Sequence, residues 1–224
     1  MRFQAASDQS LLIYLGEEIG AAAHERVLQL LRVVQNERVA WIRNIQPAYC
    51  SLLITFDATV VDHAEVQAKL TEFEKRAEKM PATKARVVEV PVCYGGEFGP
   101  DLEEVAAKRG LSAARVIALH CTHTYHAYFL GFAPGFAYLG DVARAIAMPR
   151  LDTPRKSVPA GSVAIAGRQT AVYPFATPGG WRLIGRTPVE IFKKDREPMG
   201  WIAIGDQVKF RPISREEFSW RSRA

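Results

Sequence analysis

Glycine and proline recur at close intervals between residues 131 and 188, with aromatic and cationic residues between them. The densest segments are Gly131–Gly140 (GFAPGFAYLG), Val158–Ser162 (VPAGS) and Thr177–Pro188 (TPGGWRLIGRTP). Glycine permits positive φ angles and close backbone approach, whereas proline fixes φ and removes a hydrogen-bond donor. A chain that combines both so densely within an apolar region forms shaped turns rather than a flexible linker. Because rigidly held loops often carry binding and catalytic groups, we expect a functional site here.

Short strand-like segments separated by turn signals dominate the chain from Tyr125 onward. The segments are Tyr125–Phe132, Ser162–Ala166, Thr170–Tyr173, Trp181–Gly185 and Gln207–Arg211. Short strands at this regular spacing predict a β-sandwich or a β-barrel. Two short helices, Leu102–Arg109 and Ala113–His120, are predicted before them, because each follows a suitable N-capping residue.

The first part of the chain predicts a β-α-β-β-α-β order of elements. Apolar residues at helical spacing mark Gly20–Gln35 and His63–Met80 as helices. The predicted strands are Ser10–Leu15, Val39–Ile45, Tyr49–Phe56 and Ala85–Val92. This order is that of the ferredoxin-like split βαβ arrangement. We therefore expect an α+β protein of two domains, a ferredoxin-like unit at residues 1–92 and a second domain at residues 93–224.

The net charge of +5 is concentrated around the glycine- and proline-rich turns. Residues 141–200 contain ten Lys and Arg against five Asp and Glu, a difference of +5, so the rest of the chain is balanced. Such an excess suits an anionic ligand, a carboxylate or a phosphate, with a solvated basic face as the alternative. The chain has no run of Lys and Arg and no base-reading motif, so no nucleic-acid partner is expected.

The expected compartment follows from three further features of the chain. No apolar run approaches the ~18 residues that span a bilayer, so no membrane partner is expected. Met1–Ser10 has no apolar stretch typical of a secretory signal. The cysteines Cys50, Cys93 and Cys121 are odd in number and lack CxxC spacing, which favours buried free thiols over a disulfide or a metal site. Together these features predict a cytoplasmic protein.

Three arginines are candidate substrate-binding residues. Arg150, Arg155 and Arg186 each lie beside or near a proline. Guanidinium groups held on stiff turns suit bidentate binding of a carboxylate or a phosphate. Surface pairing with Asp152 or Glu190 is the alternative for each of them.

Two glycine-containing turns add further candidate binding residues. In the first, Phe136 is a candidate pocket wall and Pro134 with Gly135 is a candidate point of close backbone approach, with packing into the core as the alternative. In the second, Thr177–Trp181 offers N–H groups for an oxyanion, or forms a bare hairpin. The residues predicted to bind from this second turn are Gly179, Gly180 and Trp181.

His120, Gln169 and Tyr173 are the candidate catalytic residues. His120 is a candidate general acid or base, with a hydrogen-bonded structural role as the alternative. The amide of Gln169 and the hydroxyl of Tyr173 are placed to polarise an amide carbonyl or to orient a water molecule. Ser162 and Thr170 are candidate binding residues nearby. The histidines at 120, 123 and 126 are spaced poorly for shared ligation, so no metal site is expected.

The segments GFAPGFAYLG, VPAGS, GRQT and TPGGWRLIGRTP resemble those of a known bacterial family. It includes the B subunit of ATP-dependent 5-oxoprolinase, Kip-type inhibitors of sensor histidine kinases, and proteins called allophanate hydrolase subunit 1. The carboxyltransferase domain of urea carboxylase is similar. Motifs carry the resemblance from Val90 to Pro212, and the order of elements carries it from Ser7 to Arg86. A histidine at the position of His120 is usual in this family.

The resemblance implies that residues 93–224 form a cyclophilin-like β-barrel. It implies a 5-oxoprolinase B subunit that works with an A and a C subunit, the latter of the carboxyltransferase type, to open 5-oxo-L-proline, a small carboxylate, to L-glutamate. ATP would be used by the assembled complex, since Asp141 stands where a Walker A loop needs lysine and this chain has no other recognisable nucleotide motif. The alternatives are an inhibitor that binds a sensor histidine kinase, or a subunit that hydrolyses allophanate or urea-type amides.

Overall fold

The computed structural model describes residues 1–82 and 84–223. The chain divides into two compact units, Met1–Lys84 and a second unit that begins at Ala85. The boundary therefore lies eight residues before the predicted one, because the strand that contains residues 87–92 belongs to the second unit. No helix among the described residues is both long and apolar enough to cross a bilayer.

The first unit is a four-stranded antiparallel sheet with two helices. Its elements are β1 (Arg2–Ser7), β2 (Ser10–Tyr14), α1 (Ala21–Glu37), β3 (Ile42–Pro47), β4 (Ser51–Phe56) and α2 (His63–Ala77). The strand order is β1-β2-β4-β3. In β4, Leu52, Ile54 and Phe56 are buried at alternate positions, as expected of a strand with one covered face. The predicted apolar stripe of α2, which includes Val66 and Phe73, is fully buried.

The sheet differs from the ferredoxin-like prediction at one edge. The strand β1 was not predicted, because its sequence RFQAAS is mostly exposed and has no apolar alternation. It pairs antiparallel with β2 and lies at the sheet edge beside it. The predicted last strand is not part of this sheet. It is β5 (Val87–Tyr94), and it pairs with strands of the second unit.

The second unit is a closed β-barrel with flanking helices, which confirms the predicted fold class. After β5 come α3 (Leu102–Lys108), α4 (Ala113–Thr122), β6 (Thr124–Leu130), β7 (Ala137–Gly140), a 3₁₀ helix (Arg144–Ile146), β8 (Arg155–Val158), β9 (Ser162–Ala166), β10 (Gln169–Val172), β11 (Thr177–Gly179), β12 (Arg182–Arg186), β13 (Gln207–Pro212) and α5 (Arg215–Arg221). The barrel order is β10-β7-β6-β13-β5-β12-β9, and β8 pairs with β11 in a separate two-stranded sheet.

Strand β9 is buried on both faces and separates two apolar clusters. Val163 and Ile165 belong to the cluster that contains the barrel core. Ala164 and Ala166 belong to a second cluster, which contains several aromatic residues. Successive side chains of a strand point to opposite faces, so one strand supplies both clusters. The small alanines leave room on the second face for large rings.

We expect limited proteolysis to separate the two units at Lys79–Ala82 or Lys84–Arg86. These segments join the units and their described residues are mostly exposed, so a protease of broad specificity reaches them first. Mass spectrometry of the first large fragments checks this. Early cleavage at Tyr94–Pro100, the glycine-containing segment beside the sequence-based boundary, would contradict this division of the chain.

Candidate functional site

A small cavity in the second unit, the aromatic cavity, is walled by aromatic side chains. Its volume is about 100 Å³, and its lining residues are Phe132, Phe136, Tyr138, Arg150, Tyr173, Gly179, Gly180 and Trp181. The ring centroid of Phe136 lies 5.3 Å from that of Tyr173 and 5.6 Å from that of Trp181, and both pairs meet edge to face. This geometry is the preferred one for neighbouring aromatic rings. The rings therefore form fixed walls.

The hydroxyl of Tyr173 lies close to the neighbouring backbone at the cavity. The backbone N–H of Trp181 favours the ionised form of this hydroxyl, but burial outweighs that effect. A Cβ on Gly179 would overlap with this hydroxyl oxygen, so only glycine fits there. Burial raises the pKa of Tyr173, and the hydroxyl therefore keeps its proton at neutral pH. A protonated hydroxyl can donate a hydrogen bond to another group.

Arg150 supplies the positive charge of this cavity. Its guanidinium carbon lies 5.9 Å from the centroid of the Trp181 ring, within cation–π range. The side chain is exposed, and in the described part of the chain no carboxylate forms a salt bridge with it. An exposed guanidinium without a carboxylate partner is suited to binding the carboxylate of a ligand. The cavity thus combines an anion-binding group, a hydroxyl donor and apolar walls.

Six residues predicted from the sequence line this one cavity. They are Phe136, Arg150, Tyr173, Gly179, Gly180 and Trp181. Phe132 and Tyr138 also line it, although neither is among the residues predicted to bind. The signal for Tyr138 is its spacing of two from Phe136 at the start of β7, which places both rings on one face. Phe132 has a positive φ of 68°, a conformation that the sequence does not reveal.

His120 lies in the barrel interior, so the predicted role as a general acid or base does not fit. It is fully buried, and both ring nitrogens are hydrogen-bonded. The Thr170 hydroxyl donates to the Ala164 carbonyl at 2.9 Å, so its oxygen accepts from Nε2–H of His120 at 2.9 Å. Nδ1 then accepts from the Tyr94 hydroxyl at 2.7 Å, which in turn accepts from the Cys121 thiol. Burial lowers the pKa of His120 to about 3, so the ring is neutral.

The same network removes Thr170 from the candidate binding residues. Its hydroxyl is buried between His120 and Ala164 and faces no cavity. Gln169 lies in β10, paired with β7 and β9, and is not among the residues that line the aromatic cavity. Ser162 is buried at the start of β9, outside that lining. The structure therefore does not bring these three residues to the aromatic cavity.

Arg155 has a carboxylate partner that the sequence did not indicate. Its Nη2 lies 2.6 Å from Oδ1 of Asp101, and the other oxygen of that carboxylate accepts from the backbone N–H of Leu183 at 2.6 Å. Asp101 is nearly fully buried. The pair joins β8, the start of α3 and β12. Arg155 therefore has a structural partner, and it is not among the residues that line the aromatic cavity.

Arg186 lies in a different cleft from Arg150. That cleft is lined by residues from four parts of the chain, 160–161, 174–175, 186–192 and 218–222. None of them lines the aromatic cavity. Of the three arginines predicted to bind substrate, Arg186 is thus separated from Arg150, whereas Arg150 and Arg155 both lie close enough to Tyr173 to lower its pKa.

Two glycine-containing turns were predicted to bring their backbone close to a ligand, and their surroundings differ from that prediction. A Cβ on Gly135 would lie 2.6 Å from Cβ of Phe192, so glycine is needed there for packing. Pro134 and Gly135 line a shallow surface depression rather than the aromatic cavity. The second turn begins with the strand β11, which pairs with β8.

Residues 1–82 and 84–223 hold no group of three or more His, Cys, Asp or Glu side chains that could bind a metal ion. The chemistry available at the aromatic cavity is therefore that of a guanidinium, a protonated phenol and apolar walls. These groups are suited to a small carboxylate that also carries a carbonyl.

Comparison with known proteins agrees with this architecture. Residues 1–202 match the family described as carboxyltransferase domain, subdomain C and D. The B subunit of 5-oxoprolinase from Bacillus subtilis (strain 168) is 40% identical to this chain. The alignment is 231 positions long, gaps included, and covers 97% of this chain and 95% of that protein.

Two solved structures share the fold. The crystal structure of TTHA0988 superposes with a TM-score of 0.82 at 35% identity and covers 93% of this chain, although the chain spans only 40% of that protein. The K. lactis urea amidolyase superposes with a TM-score of 0.77 at 19% identity over 97% of this chain and 15% of that protein, a likeness that shows the fold alone. The chain therefore belongs to the carboxyltransferase subdomain C and D family and is a homologue of the B subunit of 5-oxoprolinase.

Proposed function

We propose that this chain is the B subunit of an ATP-dependent 5-oxoprolinase that opens 5-oxo-L-proline to L-glutamate. The observation that carries the proposal is the near full-length match to the Bacillus subtilis protein, at 40% identity. The aromatic cavity supports it, since 5-oxo-L-proline combines a carboxylate with an apolar ring and an amide carbonyl. The Kip-type inhibitor and the allophanate-type hydrolase have no comparable observation in their favour.

In this proposal, Arg150 binds the carboxylate of the substrate and the aromatic walls contact its ring. The protonated Tyr173 hydroxyl donates to the amide carbonyl, which draws electron density from the carbon to be attacked. Exclusion of water around the buried Tyr173 strengthens its contact with the carbonyl. ATP use belongs to the assembled complex with the A and C subunits, and a cytoplasmic location fits this use of ATP.

Reconstitution tests the proposal. The chain is co-expressed with A and C subunits of 5-oxoprolinase from the same organism, the complex is purified, and glutamate formation from 5-oxo-L-proline is measured with and without ATP. We expect ATP-dependent turnover by the complex and none by the isolated chain. Failure of the three chains to copurify, or turnover by this chain alone, would contradict the proposal.

The Arg150→Gln substitution is expected to lower kcat/KM of the complex about tenfold, because it removes a charge-assisted hydrogen bond worth roughly 1.5 kcal/mol. The melting temperature should change little, since Arg150 is exposed. Arg150→Lys should recover only part of the loss, because lysine keeps the charge but cannot form two parallel hydrogen bonds to a carboxylate. Arg168→Gln is the matched control, an exposed arginine whose partner Asp141 lies outside the cavity. Full activity of Arg150→Gln would remove Arg150 from the site.

A further inference from the structure

A second cleft lies on the barrel, separate from the aromatic cavity. Its volume is about 550 Å³, within the range of roughly 300–1,000 Å³ that small-molecule sites occupy. Its walls include Phe175, Arg186, Glu190, Phe192 and Phe218. None of its lining residues lines the aromatic cavity. A ligand here would therefore not occupy the site proposed for the lactam.

The guanidinium of Arg186 is anchored at one nitrogen only. Its Nε donates to the carbonyl oxygen of Ala160 at 2.8 Å. That carbonyl is held by a tight turn, because Thr187 N–H donates to the carbonyl of Gly161 at 2.9 Å and Gly161 has a φ of 78°. A Cβ on Gly161 would overlap with the carbonyl oxygen of Thr187, so the turn leaves no space for another residue. The position of the guanidinium is thereby restricted.

The terminal nitrogens of Arg186 have no carboxylate partner. Across the described ranges 1–82 and 84–223, no salt bridge includes this side chain, which is half-buried. Glu190 lines the same cleft, but its carboxylate is mostly exposed and lies 3.7 Å from Nζ of Lys193. A fixed guanidinium with two free amino groups presents a fork that matches a planar carboxylate.

The remaining walls select for an apolar ligand body. Phe175 is 38% exposed, although it is a large apolar residue. Phe192 and Phe218 face the same space, together with Pro174 and Pro188. Glu190 disfavours ligands of higher negative charge, because like charges repel in a partly desolvated cleft. A planar monoanion with an apolar ring satisfies both the guanidinium and the walls.

We propose that this cleft is a second binding site, which takes a small organic carboxylate with a flat apolar body. Arg186 binds the carboxylate with its terminal amino groups, and Phe175 and Phe192 contact the body of the ligand. The proposal concerns the isolated chain and does not depend on the 5-oxoprolinase assignment.

The test is a titration of the isolated, isotope-labelled chain with benzoate, followed by NMR. We expect saturable shifts of residues that line the cleft, which are distinct from those that line the aromatic cavity. Benzamide, which has the same shape without the charge, should bind about tenfold more weakly, as expected for loss of a charge-assisted contact. Equal binding of benzamide and benzoate, shifts elsewhere only, or no saturable shifts would overturn the proposal.

Two variants and one control locate the site. Arg186→Gln should weaken benzoate binding about tenfold, and Glu190→Gln should strengthen it. Phe175→Ala, at an exposed position that does not threaten folding, should also weaken it, so the proposal stays testable if Arg186→Gln does not fold. Arg150→Gln, in the other cavity, should leave the Kd unchanged. Unchanged binding in both Arg186→Gln and Phe175→Ala would contradict the assignment, as would loss of binding in Arg150→Gln.

Discussion

Replacing Gly99 with alanine is expected to destabilise the barrel unit by about 3 kcal/mol, the upper end of typical overpacking costs. The new Cβ would overlap with the carbonyl group of Ile184 and lie 2.7 Å from the amide nitrogen of Gly185. These atoms are backbone atoms of β12, which lies between β5 and β9 in the barrel. They cannot withdraw without disturbing the barrel, since the Ile184 carbonyl also accepts from Gly95 N–H at 3.1 Å.

Urea unfolding of the wild type and the variant measures this difference. Gly131→Ala is the matched control in the same unit, because its Cβ would meet only side-chain atoms at 3.6 Å or more, which is ordinary contact. We expect the control to unfold within about 0.5 kcal/mol of the wild type, as most substitutions without a specific mechanism do. Equal stabilities of Gly99→Ala and Gly131→Ala would show that the approach of residue 99 to β12 is not as close as described.

Acidification from pH 7 to pH 5 is expected to remove about 2 kcal/mol of stability through His120 alone. Its pKa is about 3 in the folded chain, because burial disfavours the charged ring and His123 adds a like charge. In the unfolded chain the pKa returns to the ordinary value of about 6.5. At pH 5 the unfolded chain therefore binds a proton that the folded chain does not. This contribution to stability is complete above pH 6.5 and is lost as the pH falls towards 3.

The measurement is the free energy of unfolding at several pH values, for the wild type and for His120→Gln. The variant is expected to be less stable at pH 7, since it disturbs the contacts with Tyr94 and Thr170, but to show a shallower pH dependence. NMR of the histidine rings provides a second readout that needs no variant. His120 should keep a neutral ring protonated at Nε2 at pH 5, and titration of this ring above pH 5 would contradict the burial described.

Much of the architecture follows from local patterns in the chain. The alternation in β4 and the apolar stripe of α2 predict a half-buried strand and a helix, because burial on one face imposes periods of two and 3.6. The short strands after Tyr125 predict a barrel or a sandwich for the same reason. The motifs in this region also carry the family resemblance and contain Phe136, Arg150 and Tyr173, which do line one cavity.

The pairing partners of the strands were decided by tertiary structure. The sequence of β5 marks it as a strand, but the same apolar run would fit an edge of the first sheet or the wall of the barrel. β1 takes the edge beside β2, and β5 pairs in parallel with β13, about 120 residues later in the chain. The preference of a residue for a β-strand depends largely on the side chains that it packs against. A local segment therefore does not specify which strands will pair with it.

Spacing and motifs were enough to predict the family, a barrel or a sandwich, and three of the five aromatic residues that line the cavity, Phe136, Tyr173 and Trp181. The surroundings of the polar candidates depend instead on contacts between distant parts of the chain. Arg155 pairs with Asp101, 54 residues away, and His120 bonds with Thr170, 50 residues away. Arg150 has no carboxylate partner within the described residues. The role of a polar side chain depends on its bonding partners and on its exposure to solvent. Both are set by parts of the chain that lie far from it in sequence.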